Sequence, residues 1–218
     1  MKHPLVVLLG ASAFLVQSLS AQSVTNVINS WENSSEGWGT DGANWSSGGF
    51  STTTGVTQGT YSWILNAAGS PGYGFAIGST ASTAITVDLA NATAVKIDVL
   101  ATGFSYQQWD LTLNSSAFTV PLGGSYQSAD GYSFPQSPVI GTETTLTWTI
   151  PASMQAILAA NPTMTTSLNF QIGGGNAGTM YIDNLRIIDP ATPAPEPATF
   201  AMMGAGVAGL LAFRRRKI

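Results

Sequence analysis

The run Thr145-Leu146-Thr147-Trp148-Thr149-Ile150 alternates hydroxyl-bearing and apolar side chains without a break. Successive side chains of an extended chain point to opposite faces, so this run makes a strand with one wet face and one dry face. A helix would scatter the same residues around its circumference. The period recurs. Val95, Ile97 and Val99 alternate with Lys96 and Asp98, and Trp109, Leu111 and Leu113 alternate with Asp110, Thr112 and Asn114. Tyr61–Leu65, Ala84–Leu89, Ser167–Ile172 and Met180–Ile188 read as further strands, separated by stretches rich in Gly, Ser, Thr and Asn. One stretch departs from the pattern. Pro151 stands at an expected first helical position, Met154, Ile157 and Leu158 have helical spacing, and Asn161-Pro162 stops the run. Many short strands and one short helix predict an all-β domain, an antiparallel β-sandwich or jelly roll, over residues 22–188.

The two ends are of another kind. Lys2 precedes an apolar run from Leu5 to Val16, too short to span a bilayer, and Ser18-Leu19-Ser20-Ala21 supplies small residues. Residues 1–21 are expected to be a secretory signal peptide, cut by signal peptidase after Ala21. At the other end, residues 189–194 form a Pro/Ala linker and Pro195-Glu196-Pro197 follows. Two prolines hold that backbone extended and open to an enzyme. The apolar run 198–213 is expected to be a transmembrane helix. Arg214, Arg215, Arg216 and Lys217 resist crossing and keep the C-terminus cytoplasmic. Glycines 204, 206 and 209 give that helix a small-residue face for docking against a membrane partner.

In this order and at this place, motif, span and basic tail resemble the PEP-CTERM sorting signal of Gram-negative bacteria, also called the ice-binding protein C-terminal domain. The resemblance implies that an exosortase acts near Pro195-Glu196-Pro197. The protein would be exported, held transiently in the inner membrane, and passed to the cell surface or the extracellular matrix.

Charge narrows the function of the part between. From residue 22 to 194 the only cations are Lys96 and Arg186, against ten Asp and Glu residues, a formal balance of −8. Such a surface repels phosphates, which excludes nucleic acid as a partner. The chain has no cysteine, and its one histidine, His3, lies in the signal peptide. Disulfides, thiolate metal sites and imidazole-activated nucleophiles are therefore absent from the domain. Two carboxylates suffice for glycoside hydrolysis, but none of the ten falls in a catalytic motif, so no catalytic residue is assigned. Thr145, Thr147 and Thr149 form a single threonine stripe, whereas ice binding needs several in register.

Three local patterns add a second resemblance: Trp31-Glu32 followed by Gly37-Trp38, then Thr57-Gln58-Gly59, then Tyr181-Ile182-Asp183-Asn184. In this order they resemble galactose-binding-like carbohydrate-binding modules. The resemblance implies first and last strands lying side by side, and a structural calcium at Glu32 and Asp183. Read from the residues alone, Glu32 can equally accept backbone hydrogen bonds, and Asp183 can pair with Arg186 or cap a turn. For a glycan ligand, flat aromatic faces and amide or carboxylate partners are needed. Trp63, Trp109 and Trp148 lie on apolar strand faces and belong to the core. Trp38, Trp45, Tyr73, Tyr106, Tyr126 and Tyr132 lie in Gly/Ser/Asn-rich stretches and are expected to be exposed. Trp45 and Tyr106, with Gln107, Gln108 and Asp110, are the candidate glycan contacts. The expected activity is non-catalytic binding of glycan or exopolysaccharide, with a structural or adhesive envelope role as the alternative.

Overall fold

The computed structural model describes residues 25–40, 43–69, 74–115, 126–128 and 136–190. A compact unit spans Ser23–Pro190. The expected signal peptide and the expected span 198–213 lie outside the described residues, among which no helix is long and apolar enough to cross a membrane.

The described chain forms eleven strands and two helices. In order they are β1 (Thr25–Asn29), β2 (Trp38–Thr40), β3 (Trp45–Ser51), β4 (Ser62–Ala67), β5 (Gly74–Ser79), α1 (Thr83–Asn91), β6 (Ala94–Thr102), β7 (Tyr106–Ser115), β8 (Tyr126–Ser128), β9 (Glu143–Thr149), α2 (Ala152–Ala160), β10 (Thr166–Gly175) and β11 (Gly178–Ile188). They build two sheets. Sheet A has the order β3-β4-β11-β6-β9, with β1 added beside β11, and sheet B has the order β2-β5-β10-β7-β8. All pairings are antiparallel. The β-sandwich is as the alternation predicts, and the first strand does lie against the last, Thr25 opposite Ile188.

The dry faces meet in one core. Trp63, Leu65, Val95, Ile97, Val99, Trp148 and Ile182 come from sheet A; Ile77, Trp109, Leu111, Leu113, Leu168, Phe170 and Ile172 come from sheet B. Phe170 is the hub, with ring centroids of Trp148, Trp38 and Trp109 at 5.4, 5.8 and 5.8 Å. Indoles that fill the space between two sheets bury much apolar area each, so a domain of this size holds together without disulfides.

Two features depart from strict alternation. In β11 the register against β6 shifts between Asp183 and Arg186, and Asn184 has φ 53°. Asn tolerates this left-handed conformation, and the extra residue resets the pleat. Met180 and Ile182 point inward before the bulge, Leu185 and Ile187 after it, and Asp183 and Arg186 are left on the outer face. The second departure corrects the expectation of a strand at Ala84–Leu89, which is helix α1, so the domain has two helices rather than one. Ser82 caps it by accepting from the Ile85 amide at 3.2 Å. Ile85 and Leu89, four apart, face the core, while Val87, which alternation would bury between them, is 48% exposed. The local polar–apolar alternation was real, but the apolar pair that mattered was the helical one. Helix α2 forms where expected, with Pro151 as the cap residue one place before its first turn. Both helices cross between the sheets, β5 to β6 and β9 to β10, and pack on each other through apolar residues of each.

The free edge of β9 is covered by one side chain. The Gln136 amide accepts from the Thr147 amide and donates to the Thr147 carbonyl, while its own backbone pairs with Trp109 of sheet B. An exposed edge is a template for unwanted pairing, and this contact occupies it.

Candidate functional site

Two outer faces carry the polar residues singled out in the sequence. On sheet A, Asp98 of β6 stands opposite Asp183 of β11. The connection from β3 to β4 lies over them. It comes close enough that a Cβ on Gly55, at φ +67°, would meet the Tyr181 Cβ at 2.4 Å. Asp183, fully buried, accepts from the amides of Thr57 at 2.6 Å and Gln58 at 2.7 Å through Oδ2, and from the Asn184 amide at 2.6 Å through Oδ1. Asp98 accepts from both guanidinium nitrogens of Arg186 at 3.0 and 3.2 Å, from Thr145 at 2.6 Å, Asn184 at 2.8 Å and Thr57 at 2.9 Å. The sequence left open a pairing of Arg186 with Asp183; its ion-pair partner is Asp98.

These environments push the two carboxyls apart. Burial raises Asp98, but the hydrogen bonds from Arg186, Thr145, Asn184 and Thr57 outweigh it and hold Asp98 below the ordinary carboxylate range. For Asp183 burial prevails over the amides of Gln58, Thr57 and Asn184, and the carboxyl is held above that range.

Glu32 grips the other end of the same connection, accepting from the Thr60 amide with both oxygens at 3.0 and 3.1 Å. Asp183 and Glu32 therefore hold Thr57–Thr60 between them. Two observations bear on whether they suit a cation. Asp183 keeps a raised pKa despite its donors, and Oε1 of Gln58, a residue of the same connection, is buried with no donor. Carboxylates and an amide oxygen are the donors a hard cation such as calcium takes, so the residues fit it in chemistry. Among the described residues no group of three or more His, Cys, Asp and Glu is gathered. Any such ion would complete its shell with carbonyls and water.

The second face is the outer side of sheet B. Trp109, Leu111 and Leu113 of β7 point into the core, so Tyr106, Gln108, Asp110, Thr112 and Asn114 line the other side. Residues of β10 stand directly opposite: Gly175 to Tyr106, Gly173 to Gln108, Gln171 to Asp110, Asn169 to Thr112. Tyr106 is 54% exposed, as the sequence predicts. One edge of its ring lies against β10, since a Cβ on Gly175 would meet ring carbons Cε1 and Cδ1 at 2.8 and 2.9 Å. Gly173 and Gly175, both buried, put no side chain in the row beside it. The result is a half-exposed aromatic ring next to Gln108, with Asp110 and Thr112 nearly buried further along the row and Gln171 opposite Asp110.

Three expectations need correction. Trp45 is 2% exposed and packs its ring on Phe104 at 6.0 Å, and Trp38 stacks on Phe170. The glycines around them mark tight strand connections rather than exposed platforms. Gln107 belongs to the inner face, where its Oε1 accepts from the Trp109 indole at 3.0 Å; the period-two rule separates it from Tyr106 and Asp110. Tyr73, the Tyr126 side chain and Tyr132 lie outside what the structure describes. Sequence reasoning missed Gly175 and Gln171, whose signal was a register, Gln171 with Asp110, that only the paired strands supply.

Comparison with known proteins adds the following. Residues 193–217 match the PEP-CTERM protein-sorting motif. No curated protein matches the chain. Its structural neighbours are carbohydrate-binding modules of β-sandwich fold. One belongs to a study of promiscuous specificity in such modules, with 14% identity, 73% of this chain and 60% of that chain covered, and a TM-score of 0.48. This chain thus spans less than two thirds of that neighbour. Another is the C-terminal family 22 carbohydrate binding module of Clostridium thermocellum Xyn10B, at 16% identity, 77% and 94% coverage and a TM-score of 0.49. A third is a family 11 module from the same organism, solved with a β-1,3-1,4-mixed-linked tetrasaccharide, at 12% identity, 78% and 98% coverage and a TM-score of 0.48.

Proposed function

We propose that this is an exported protein, directed to the cell surface by its C-terminal sorting motif, whose sandwich binds glycan without catalysis through the outer face of sheet B. The observation that carries the reading is the Tyr106 ring, half exposed with one edge set against Gly175. The C–H groups of a pyranose ring carry slight positive charge and pack on the negative face of an aromatic ring. Gln108 beside it, and Gln171 further along the face, each offer a donor pair and an acceptor, which suits sugar hydroxyls that do both. The ring also stands at the far end of β11 from Ile188: Gly175 shortly precedes Gly178, the start of β11, which is ten residue steps or about 33 Å along that strand from Ile188.

A calcium ion at Glu32 and Asp183, with Gln58 Oε1, belongs to the same reading. It would supply the positive charge that buried Asp183 lacks, and so fix the connection over sheet A. A second reading, a structural or adhesive envelope protein with no defined sugar, is favoured by one observation: Asp110, Thr112, Ser167 and Asn169 on the sheet B face are almost fully buried.

Affinity electrophoresis in gels of xylan, mixed-linkage glucan, galactomannan and the host's own exopolysaccharide separates the two. The glycan reading expects retardation in at least one gel, weakened about tenfold by Tyr106→Ala, or ~1.4 kcal/mol, with the melting temperature unchanged. Retardation that survives the substitution would move the site elsewhere, and migration unaffected by every polymer would leave the structural role.

A further inference from the structure

We propose that the Tyr106 face accepts uncharged saccharide chains and rejects polyanionic ones, an inference that rests on the glycan-binding function above. The distribution of cations carries it. Lys96 and Arg186 are the only two between residues 22 and 194, and both stand on sheet A, directly opposite one another across β6 and β11. Arg186 is already engaged by Asp98. No strand of sheet B contains a lysine or arginine.

A carboxylated or sulfated sugar on the Tyr106 ring would therefore meet a phenol, the Gln108 amide and, further along the same row, Gln171 and the nearly buried Asp110 carboxylate. Recognition of an anion calls for a guanidinium, an ammonium or converging backbone amides to replace lost water. A like charge two residues from Gln108 does the reverse. The wider field has the same sign, since the domain carries −8. That field reaches about a Debye length, ~10 Å at 0.1 M salt, so each uronate along a bound chain adds to the repulsion. A neutral chain loses nothing to it. Amide and phenol groups satisfy hydroxyls at no electrostatic cost, which makes the absence of cations on this sheet a filter.

The test uses the full-length chain in a polyoxyethylene detergent, which has no sugar headgroup to compete. It is titrated against polymers that share a backbone and differ in charge: hydroxyethylcellulose with carboxymethylcellulose, arabinoxylan with glucuronoxylan, and dextran with dextran sulfate. On any backbone that binds, the neutral member is expected to bind about tenfold tighter at low salt, with the gap closing as salt is raised and the repulsion is screened. An anionic member that binds as tightly as its neutral partner, or tighter, overturns the filter and leaves glycan binding standing. Failure of all six polymers to bind overturns the filter together with the function on which it rests.

Discussion

The outer faces of the two sheets are both rich in polar side chains, and they use them in opposite ways. On sheet A the two outer-face carboxylates are spoken for. Asp183 takes three backbone amides, Asp98 takes Arg186 and three further side chains, and the Thr52–Thr60 connection lies on top. On sheet B, Tyr106 and Gln108 of β7 are exposed at the distal end, beside two buried glycines of β10 that carry no side chain. Buried carboxylates on A hold backbone in place; uncharged groups on B are free to meet something else. The lesson is that the charged residues, which draw the eye in an almost uncharged chain, are the structural ones, and the surface proposed to bind glycan is built from an aromatic ring, amides and missing Cβ atoms.

Removing Asp183 is the largest blow this comparison predicts. Asp183→Ala leaves the amides of Thr57, Gln58 and Asn184 without their acceptor in a buried setting. Unsatisfied buried donors cost about 1–3 kcal/mol each, partly recovered by water, so a loss of about 3–4 kcal/mol is expected. The urea midpoint measures it. If calcium sits against the same carboxylate, chelation lowers the wild-type midpoint and leaves the variant where it is. A midpoint within ~0.5 kcal/mol of wild type would mean that the connection is held by something other than this carboxylate.

How much of this contrast could be read beforehand differs between the two faces. The sandwich itself was legible, because Val95/Ile97/Val99 and Thr145–Ile150 announce their period directly. Glu32 as an acceptor of backbone amides was also legible as one of the two readings open to it, whereas Arg186 pairs with Asp98 and not with Asp183. Ala84–Leu89 misled because six residues satisfy a period of two and a period of 3.6 almost equally, and the tie was broken by Ser82 capping and by Thr86 reaching Met164 and Thr166, about eighty residues away. Trp45 and Gln107 misled for a different reason. Local composition says where the chain turns, not which side of a strand a residue takes, and one step along β7 separates Tyr106 in solvent from Gln107 in the core.

Asp98 gives a smaller and pH-dependent effect. Its pKa is depressed in the folded protein, so its carboxylate contributes stability that is fully present above the unfolded pKa and is lost as pH falls through the folded value. Asp98→Asn keeps one acceptor oxygen but removes the charge that faces Arg186. A loss of about 2 kcal/mol is expected at pH 7. The gap between wild type and variant should begin to narrow below about pH 4, where the unfolded chain takes up the proton, and close as the pH falls through the still lower folded pKa. Denaturation midpoints from pH 7 down to the most acid pH at which the fold survives would show the convergence. A gap that stays constant with pH would mean that the Asp98–Arg186 pair is held by geometry and not by charge.

The smallest effect on stability is the most telling for the open face. Gly175 has no left-handed φ, so Gly175→Ala asks nothing of the backbone. Alanine in a strand is worth about 0.5–1 kcal/mol over glycine in backbone entropy. Against this, the new methyl group would lie 2.2 Å from Ser105 Oγ and 2.8 Å from Tyr106 Cε1, so both side chains must move. Each is exposed and can rotate away cheaply. The melting temperature should therefore stay level or rise slightly, while polysaccharide retardation falls toward that of Tyr106→Ala although the tyrosine is still present. Sheet A has no counterpart to this behaviour, since its comparable glycine, Gly55, sits at φ +67° against Tyr181 and its replacement should unfold rather than spare the domain. If Gly175→Ala bound glycan as well as wild type, the placement of the Tyr106 ring against Gly175 would be an accident of packing, and sheet B would lose its claim to be the working face.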